Sequence, residues 1–315
     1  MADNSYPVEI APPDIEPYRK GNTGTDYFTT FDSGKPGPHV LVNALTHGNE
    51  ICGAIAVDRL FREGVRPAAG KLTLGFANVA AFKTFDPRNP TASRFVDEDI
   101  NRVWDPAVLD GHRKSAELQR AREMRPLIDT VDLLLDIHSM QHVTQALMLA
   151  GLLDRSLELA HRLSAPRLIV RDRGHSAGRR MRDYGGFGDP NSAKTALLIE
   201  CGQHWERASV DVAHDITWRF LAASGVLSPA EAERQRMRPP AQQRVVTVTH
   251  AVTIESDRFE FAADYRGLEV IAKTGTMIGR DGGREVRTPY DDCVLIMPSK
   301  RLTRGQTAVR LGRFG

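Results

Sequence analysis

Cysteine is scarce in this chain, and the few present do not pair by spacing. Cys52, Cys201 and Cys293 are odd in number and far apart, which argues against a disulfide framework. There is no C-x-x-C pattern, and Cys52 and Cys201 have apolar neighbours, so they read as small core residues rather than metal ligands. A reducing cytoplasm fits that usage. No apolar run approaches the roughly 20 residues a membrane helix needs. Met1-Ala2-Asp3-Asn4-Ser5, followed by Pro7, Pro12 and Pro13, lacks the basic and apolar regions of a secretory signal. An excess of one charge is missing too: 42 basic against 40 acidic residues give +2, too near neutral for a nucleic-acid partner. Hydrophobic content of 41% and charged content of 26% are those of an ordinary soluble protein. A chain of 315 residues can bury a substantial core and hold two domains.

What is present is a set of chemically competent residues at the ends of apolar runs. His47-Gly48-Asn49-Glu50 follows the run His39–Leu45 and precedes a helical pattern that starts at Ile51. A histidine and a glutamate three residues apart at a strand-to-helix turn can face one point, which is how many zinc sites begin. The bland alternative is a polar loop with a helix-capping carboxylate. Two further runs end in the same way. Val131 to Ile137 leads into His138, and Thr195 to Ile199 leads into Glu200. Both runs have the pattern of strands buried on two faces in a mostly parallel sheet. Open α/β sheets bind ligands beyond the carboxyl ends of their strands, where all four residues fall. His47, Glu50 and His138 make a two-histidine, one-carboxylate zinc set with a fourth position open for water. Glu200 remains as a free carboxylate placed for acid–base work.

The segment to about Arg236 alternates strand-like runs, such as Leu72–Asn78, with amphipathic stretches. Helices are expected over Ile51–Arg62, Ser115–Ile128, Leu152–Leu163 and Val212–Ala223. Between Phe82 and Asp110 lies a polar loop that contains Arg94, Asp99, Asn101 and Arg102; long loops of this kind are usually functional. Tyr184 to Pro190 is a second irregular, glycine-containing stretch. Arg238-Pro239-Pro240 reads as a linker. Beyond it come short β-rich runs, Arg244–His250, Arg258–Phe261, Glu269–Ala272, Val294–Met297 and Ala308–Leu311, punctuated by Gly275, Gly279, Gly282 and Gly283. The expected architecture is therefore α/β. A mixed, mostly parallel sheet flanked by helices spans 1–238, and a smaller all-β domain, a barrel or sandwich, spans 239–315.

These residues resemble the succinylglutamate desuccinylase/aspartoacylase family, relatives of the zinc carboxypeptidases. Thr46-His47-Gly48-Asn49-Glu50 is similar to its first zinc motif. Arg94 with Asp99-Ile100-Asn101-Arg102 is similar to its substrate-binding stretch, Asp136-Ile137-His138 to the third-ligand motif, and Ile199-Glu200 to the catalytic glutamate. The order and spacing agree over essentially the whole chain. The resemblance implies one zinc per chain and hydrolysis of a small N-acylated amino acid to a carboxylate and a free amine. Glu200 is then the proton carrier, and Arg94 holds the oxyanion with the metal. Asn101 and Arg102 grip the substrate carboxylate. The C-terminal β domain partly covers the cleft.

Some roles stay open. Without the motif, Arg102 reads as a structural salt bridge to Asp97 or Glu98. Asp136 is either a carboxylate behind a zinc-bound histidine, used by the family toward His47, or half of a buried ion pair. Asp99 is placed with it, behind the ligands. Tyr290 is either the tyrosine that the family's C-terminal domain extends into the cleft or an ordinary turn residue. No arginine or tyrosine before Glu200 matches the family's side-chain binders; Arg180, Arg182 and Lys194 are the candidates. His112, His142, His161, His175, His204, His214 and His250 read as ordinary surface or core histidines. A zinc carboxypeptidase on short peptides and a non-catalytic binding protein are the rival readings, and a homo-oligomer is left open.

Overall fold

The alternating pattern is realised in a computed structural model that describes residues 6–174, 177–234 and 239–315. Met1–Ser5, His175 and Arg238, the first residue of the expected linker, lie outside the described residues. Seven strands come first: β1 (Phe28–Asp32), β2 (His39–Ala44), β3 (Lys71–Phe76), β4 (Leu133–Met140), β5 (Leu147–Leu149), β6 (Leu168–Arg171) and β7 (Thr195–Gln203). β3, β2, β4 and β7 lie side by side and parallel, so His47, beyond the end of β2, comes to the same edge as His138 and Glu200, near the ends of β4 and β7. β1 closes one side antiparallel to β3, and β5 runs antiparallel to β7 with β6 beyond it.

Strand periodicity decides which side chains can meet. Leu135, Ile137, Leu197 and Ile199 share a core with the helices Ile51–Arg62, Asp154–Leu163 and Arg207–Ser224. Leu134 and Ala196 point the other way, onto Leu118, Ala121 and Met124 of the helix Ala116–Ile128. Asp136, His138 and Glu200 follow at even spacing on that second face. His138 and Glu200 are direct neighbours in the β4–β7 register. The expected helices are present, shifted at their ends by a few residues. Ser115 caps the helix at Ala116 by accepting a hydrogen bond from the Leu118 N–H.

The C-terminal strands are β8 (Arg244–Thr253), β9 (Phe259–Phe261), β10 (Val270–Ile271), β11 (Met277–Asp281), β12 (Arg284–Arg287), β13 (Cys293–Ile296) and β14 (Thr307–Phe314). β8 pairs parallel with β6, and β14, β13 and β10 follow antiparallel, giving one sheet of eleven strands. The β-rich tail thus continues the main sheet and covers an edge that β6 would otherwise leave open. β9, β11 and β12 form a separate three-stranded sheet, whose Ile278 and Val286 pack on Leu295, Val309 and Leu311. Gly282 and Gly283, which look like punctuation in the sequence, are the two-residue turn of the β11–β12 hairpin.

The loop after β2 has little freedom. Leu45 takes a left-handed φ of 59°, an uncommon conformation for a bulky side chain. The Gly48 N–H donates to Arg94 O at 3.1 Å. A Cβ on Gly48 would come within 2.4 Å of Phe82 N and Ser93 O. Glycine is therefore required for the His47 loop to lie against the Arg94 loop. Gly48→Ala is expected to cost about 1–3 kcal/mol, as overpacking does, read as a lower urea midpoint with unchanged slope. An unchanged midpoint would show that the two loops part freely.

Candidate active site

Glu50 occupies the position just before the helix Ile51–Arg62, yet its side chain caps nothing there. It turns instead between two imidazoles. Oε1 lies 2.7 Å from His47 Nδ1, and Oε2 lies 2.8 Å from His138 Nδ1. All three side chains are buried, and one ligand atom from each lies within 4.8 Å of the others, so the trio could hold a metal ion. Each ring is gripped from behind by a second carboxylate: His47 Nε2 lies 2.9 Å from Asp99 Oδ1, and His138 Nε2 lies 2.9 Å from Asp136 Oδ2. Asp136 thus serves His138 and not His47. The strand period explains this, since residues two apart on β4 share a face. Asp136 Oδ1 in turn accepts from Asn43 Nδ2 and Thr46 Oγ1, each at 2.8 Å.

The electrostatics follow from burial. Desolvation opposes a charged His138 ring, but Asp136 and Glu50 outweigh it and hold its pKa well above the ordinary value. Desolvation likewise opposes the Glu50 carboxylate, and His47 and His138 hold it well below the usual range. Burial pushes Glu200 up to about 8, with Glu50 adding to the rise while His138, Arg94 and Arg310 pull it back. Glu200 Oε2 is buried without a hydrogen-bond partner. This carboxyl group can take and release a proton near neutral pH.

The long loop supplies the cations. Arg94 Nη1 donates to Glu50 Oε1 at 3.2 Å and Nη2 to Asp99 Oδ2 at 3.0 Å. Arg102 stands 3.8 Å from the same Asp99 oxygen, and its Nη1 donates to Asn101 O. Its sequence-expected alternatives are engaged elsewhere: Asp97 accepts from Ala116 N, and Glu98 from Ser115 Oγ. Asn101 is buried with its amide oxygen on Met181 N, which fixes the side chain against the second loop. Glu117 shapes the loop by accepting from the N–H groups of Val96, Asp97 and Glu98.

These groups line one cavity of about 470 Å³. His47, Glu50, Arg94, Asp99, Asn101, Arg102, His138 and Glu200 all face it. Tyr290 is not among the lining residues. Its hydroxyl meets Thr249 Oγ1 at 2.5 Å, and Arg313 stacks on its ring. Arg180 does line the cavity, but it is bound to Asp172 through two nitrogens and to Asp183. Arg182 donates to the carbonyls of Ala150 and Ala196, and Lys194 to Asp129 O.

Residues 36–211 match the family model of the succinylglutamate desuccinylase/aspartoacylase catalytic domain. The chain belongs to that family. Solved structures share its fold at low identity. A succinylglutamate desuccinylase from Vibrio cholerae superposes with a TM-score of 0.69 at 16% identity, over 91% of this chain and 85% of that one. The ectoine utilization protein EutE from Ruegeria pomeroyi, in a product-bound structure, gives 0.61 at 18%, over 90% and 88%. An aspartoacylase family protein from Mesorhizobium loti gives 0.58 at 15%, over 91% and 88%. No curated protein matches the chain in sequence.

Several cavity residues were not anticipated for this family member. His142 and His204, expected to be ordinary histidines, both line the cavity. Arg301 reaches it from the segment between β13 and β14, and Arg310 from β14. Arg310 could have been noticed as a charge inside the apolar run Ala308–Leu311; Arg301, in a polar loop, gave no signal. Arg310 lies 3.4 Å from Asp172, which therefore serves two buried guanidiniums. Despite the desolvation penalty, Arg180 and Arg310 hold the Asp172 carboxyl far below the usual carboxylate range. A depressed folded-state pKa contributes stability above the unfolded value, about 3.9, and that stability is lost as pH falls. Asp172→Asn should thus cost about 3–5 kcal/mol near neutral pH by stranding both cations. The gap to the wild type should narrow as unfolding is measured below about pH 4. A gap that does not change with pH would mean the loss is one of shape.

Proposed function

We propose that the protein is a zinc-dependent deacylase that hydrolyses the amide bond of a small N-acyl amino acid. The observation that carries this reading is the buried Glu50 between His47 Nδ1 and His138 Nδ1, with Glu200 beside His138 in register. The donor set suits zinc. Two imidazoles and one carboxylate converge, each ring is backed by another carboxylate, and this buried negative charge calls for a cation. Bound there, zinc supplies a Lewis acid and a water of lowered pKa, about 7. The relatives' names, desuccinylase and aspartoacylase, point to the same class of reaction.

The remaining roles belong to the chain's own residues. Glu200 takes the proton from the attacking water and delivers it to the departing nitrogen; a group that ionises near neutrality is suited to both steps. Arg94, held by Glu50 and Asp99, faces the carbonyl oxygen as charge develops on it, an effect often worth about 3–4 kcal/mol per donor. Arg102 binds the substrate carboxylate, with Asn101 fixing the loop that presents it. Asp136 and Asp99 orient the two ligand histidines.

Residues 1–238 are read as the catalytic unit, and 239–315 as a β-rich region that partly covers it. Met297, Arg301 and Arg310 in the cavity wall support that cover. A cavity of about 470 Å³ favours a small amide over a peptide. Three free, buried cysteines suit a reducing compartment, and among the described residues no helix is long and apolar enough to cross a membrane.

Protein purified without chelator should carry about one zinc per chain, and the double variant His47→Ala, His138→Ala should lose it. Unchanged metal content by elemental analysis would remove the assignment. Glu200→Gln should keep metal and fold while kcat falls by about 10²–10⁴ or more. Near-normal turnover of any N-acyl amino acid that the wild type accepts would exclude Glu200 as the proton carrier.

A further inference from the structure

The cavity is rich in charge, but one stretch of its wall is apolar. Among the described residues a single hydrophobic cluster of the interior reaches the cavity, through Met140, Leu149, Leu198 and Met297. Strand register places the two leucines. Leu198 pairs with Asp136 on β4 and with Leu149 on β5, while Glu200 pairs with His138 and Leu147. Leu149 and Leu198 therefore form the row next to the one that holds His138 and Glu200, on the same face and roughly 7 Å along the strands. Met140 lies two residues past His138 on β4, and Met297 packs on the cluster from just after β13.

The groups at the ends of this wall decide which half of a substrate meets it. Glu200 protonates the departing nitrogen, so the amine half lies over Glu200 and its neighbours. Segment 179–182 ties Arg102 to the same end of the cavity. On one side Met181 N donates to Asn101 Oδ1 at 3.0 Å, and Trp104 N donates to Arg179 O at 3.2 Å. On the other, Arg182 Nη2 donates to Ala150 O at 3.0 Å and to Ala196 O at 3.1 Å. Ala150 adjoins Leu149, and Ala196 is two residues from Leu198. The nitrogen, carboxylate and side chain of an amino acid leave one carbon atom. With the nitrogen at Glu200 and the carboxylate at Arg102, the side chain falls to Leu149 and Leu198.

The cations beside this wall are committed to the protein. Arg180 donates from Nη1 and Nη2 to Asp172 and from Nε to Asp183. Arg310 lies 3.4 Å from the same Asp172. A carboxylate on the substrate side chain would compete with a buried ion pair for these arginines and would lose its hydration against apolar neighbours.

We infer that the amine half of the preferred substrate is an amino acid with an aliphatic side chain of about the size of leucine, packed against Leu149 and Leu198. This rests on the deacylase reading above and specifies its substrate. It sets the chain apart from the acidic amino acids that the relatives' names carry.

The test compares N-acetyl-L-leucine with N-acetyl-L-aspartate, whose side chains are similar in shape and differ in charge, on the zinc-loaded full chain. The wild type should prefer the leucine amide in kcat/KM by about tenfold or more, the scale on which hydrophobic pockets discriminate. Leu198→Ala should reduce that preference severalfold, mainly by raising KM for the leucine amide, whereas a folding defect lowers both substrates alike. Met297→Gln, at a half-buried position, should reduce it in the same direction and serves where Leu198→Ala does not fold. A wild type that prefers the aspartate amide, or a preference unchanged in the variants, overturns the inference. Calorimetric binding of both amides to zinc-loaded Glu200→Gln repeats the comparison without turnover. If neither amide is hydrolysed but the leucine amide binds more tightly in a way that depends on Leu198 or Met297, the deacylase reading fails and the side-chain site stands. Hydrolysis or binding without preference, or no binding of either amide, overturns the site.

Discussion

A carboxylate taken out of water loses several kcal/mol of hydration, and it must recover that from charge close by. Glu50 is such a group, and its two oxygens decide what surrounds it. His138 reaches one from the end of β4, and His47 and Arg94 reach the other from two loops. None of these partners can be supplied by the helix that Glu50 begins, so strand, turn and long loop must be brought to one point. The Gly48–Arg94 backbone contact, with no room for a Cβ, is the local consequence. Asp99 and Asp136 extend the requirement outward by fixing the far nitrogen of each ring. The resulting excess of carboxylate over fixed cation is what makes the trio a place for a metal ion.

A second charge cluster performs the corresponding task for the C-terminal strands. Asp172 follows directly after β6, Arg180 comes from the loop before β7, and Arg310 sits on β14. One buried carboxylate thereby joins three segments distant in sequence. Apolar packing in the same region, where Leu149, Leu198 and Val170 meet Ile296 and Val246, favours burial without choosing a register. The Asp172 pairs do choose one, because a strand slipped by one residue would turn Arg310 to the other face of the sheet. The segment between β13 and β14, which holds Arg301, is set at both ends by strands so fixed.

The parts legible in the sequence were those in which one short stretch holds both a structural cue and a chemical one. His47 and Glu50 lie within a single turn after an apolar run. His138 and Glu200 end runs whose burial on two faces leaves the strand tip as the functional position. The helices were legible for the same local reason, as was the β character of the tail. What could not be read depends on pairing across long separations. β5 and β6, of three and four residues, are too short to show a period and exist because β7 and β8 lie beside them. Asp172, Arg310 and His204 become neighbours of the site only when β6, β14 and the end of β7 are placed. Tyr290 shows the converse: a plausible local match whose side chain the β-sheet turns toward Thr249 and Arg313.

This division separates reaction from specificity. Metal ligation and proton transfer need atoms within about 3 Å of one another in fixed geometry, and such constellations are built economically from short motifs on rigid strand ends. Recognition of a substrate's outer groups needs only that a charge stand at the right distance from that centre, and any element bordering the cavity can provide it. Arg102 from the long loop, Arg180 from the loop before β7, and Arg301 and Arg310 from the tail are four such charges on four different segments. Two of them are already balanced by Asp172. Arg102 shares Asp99 at 3.8 Å, and Arg301 has no carboxylate within pairing distance among the described residues. The less a cation is balanced by the protein, the more of its interaction remains for the substrate. By that measure Arg301, outside every recognised motif, has more left to give a bound anion than Arg180, which Asp172 and Asp183 already hold.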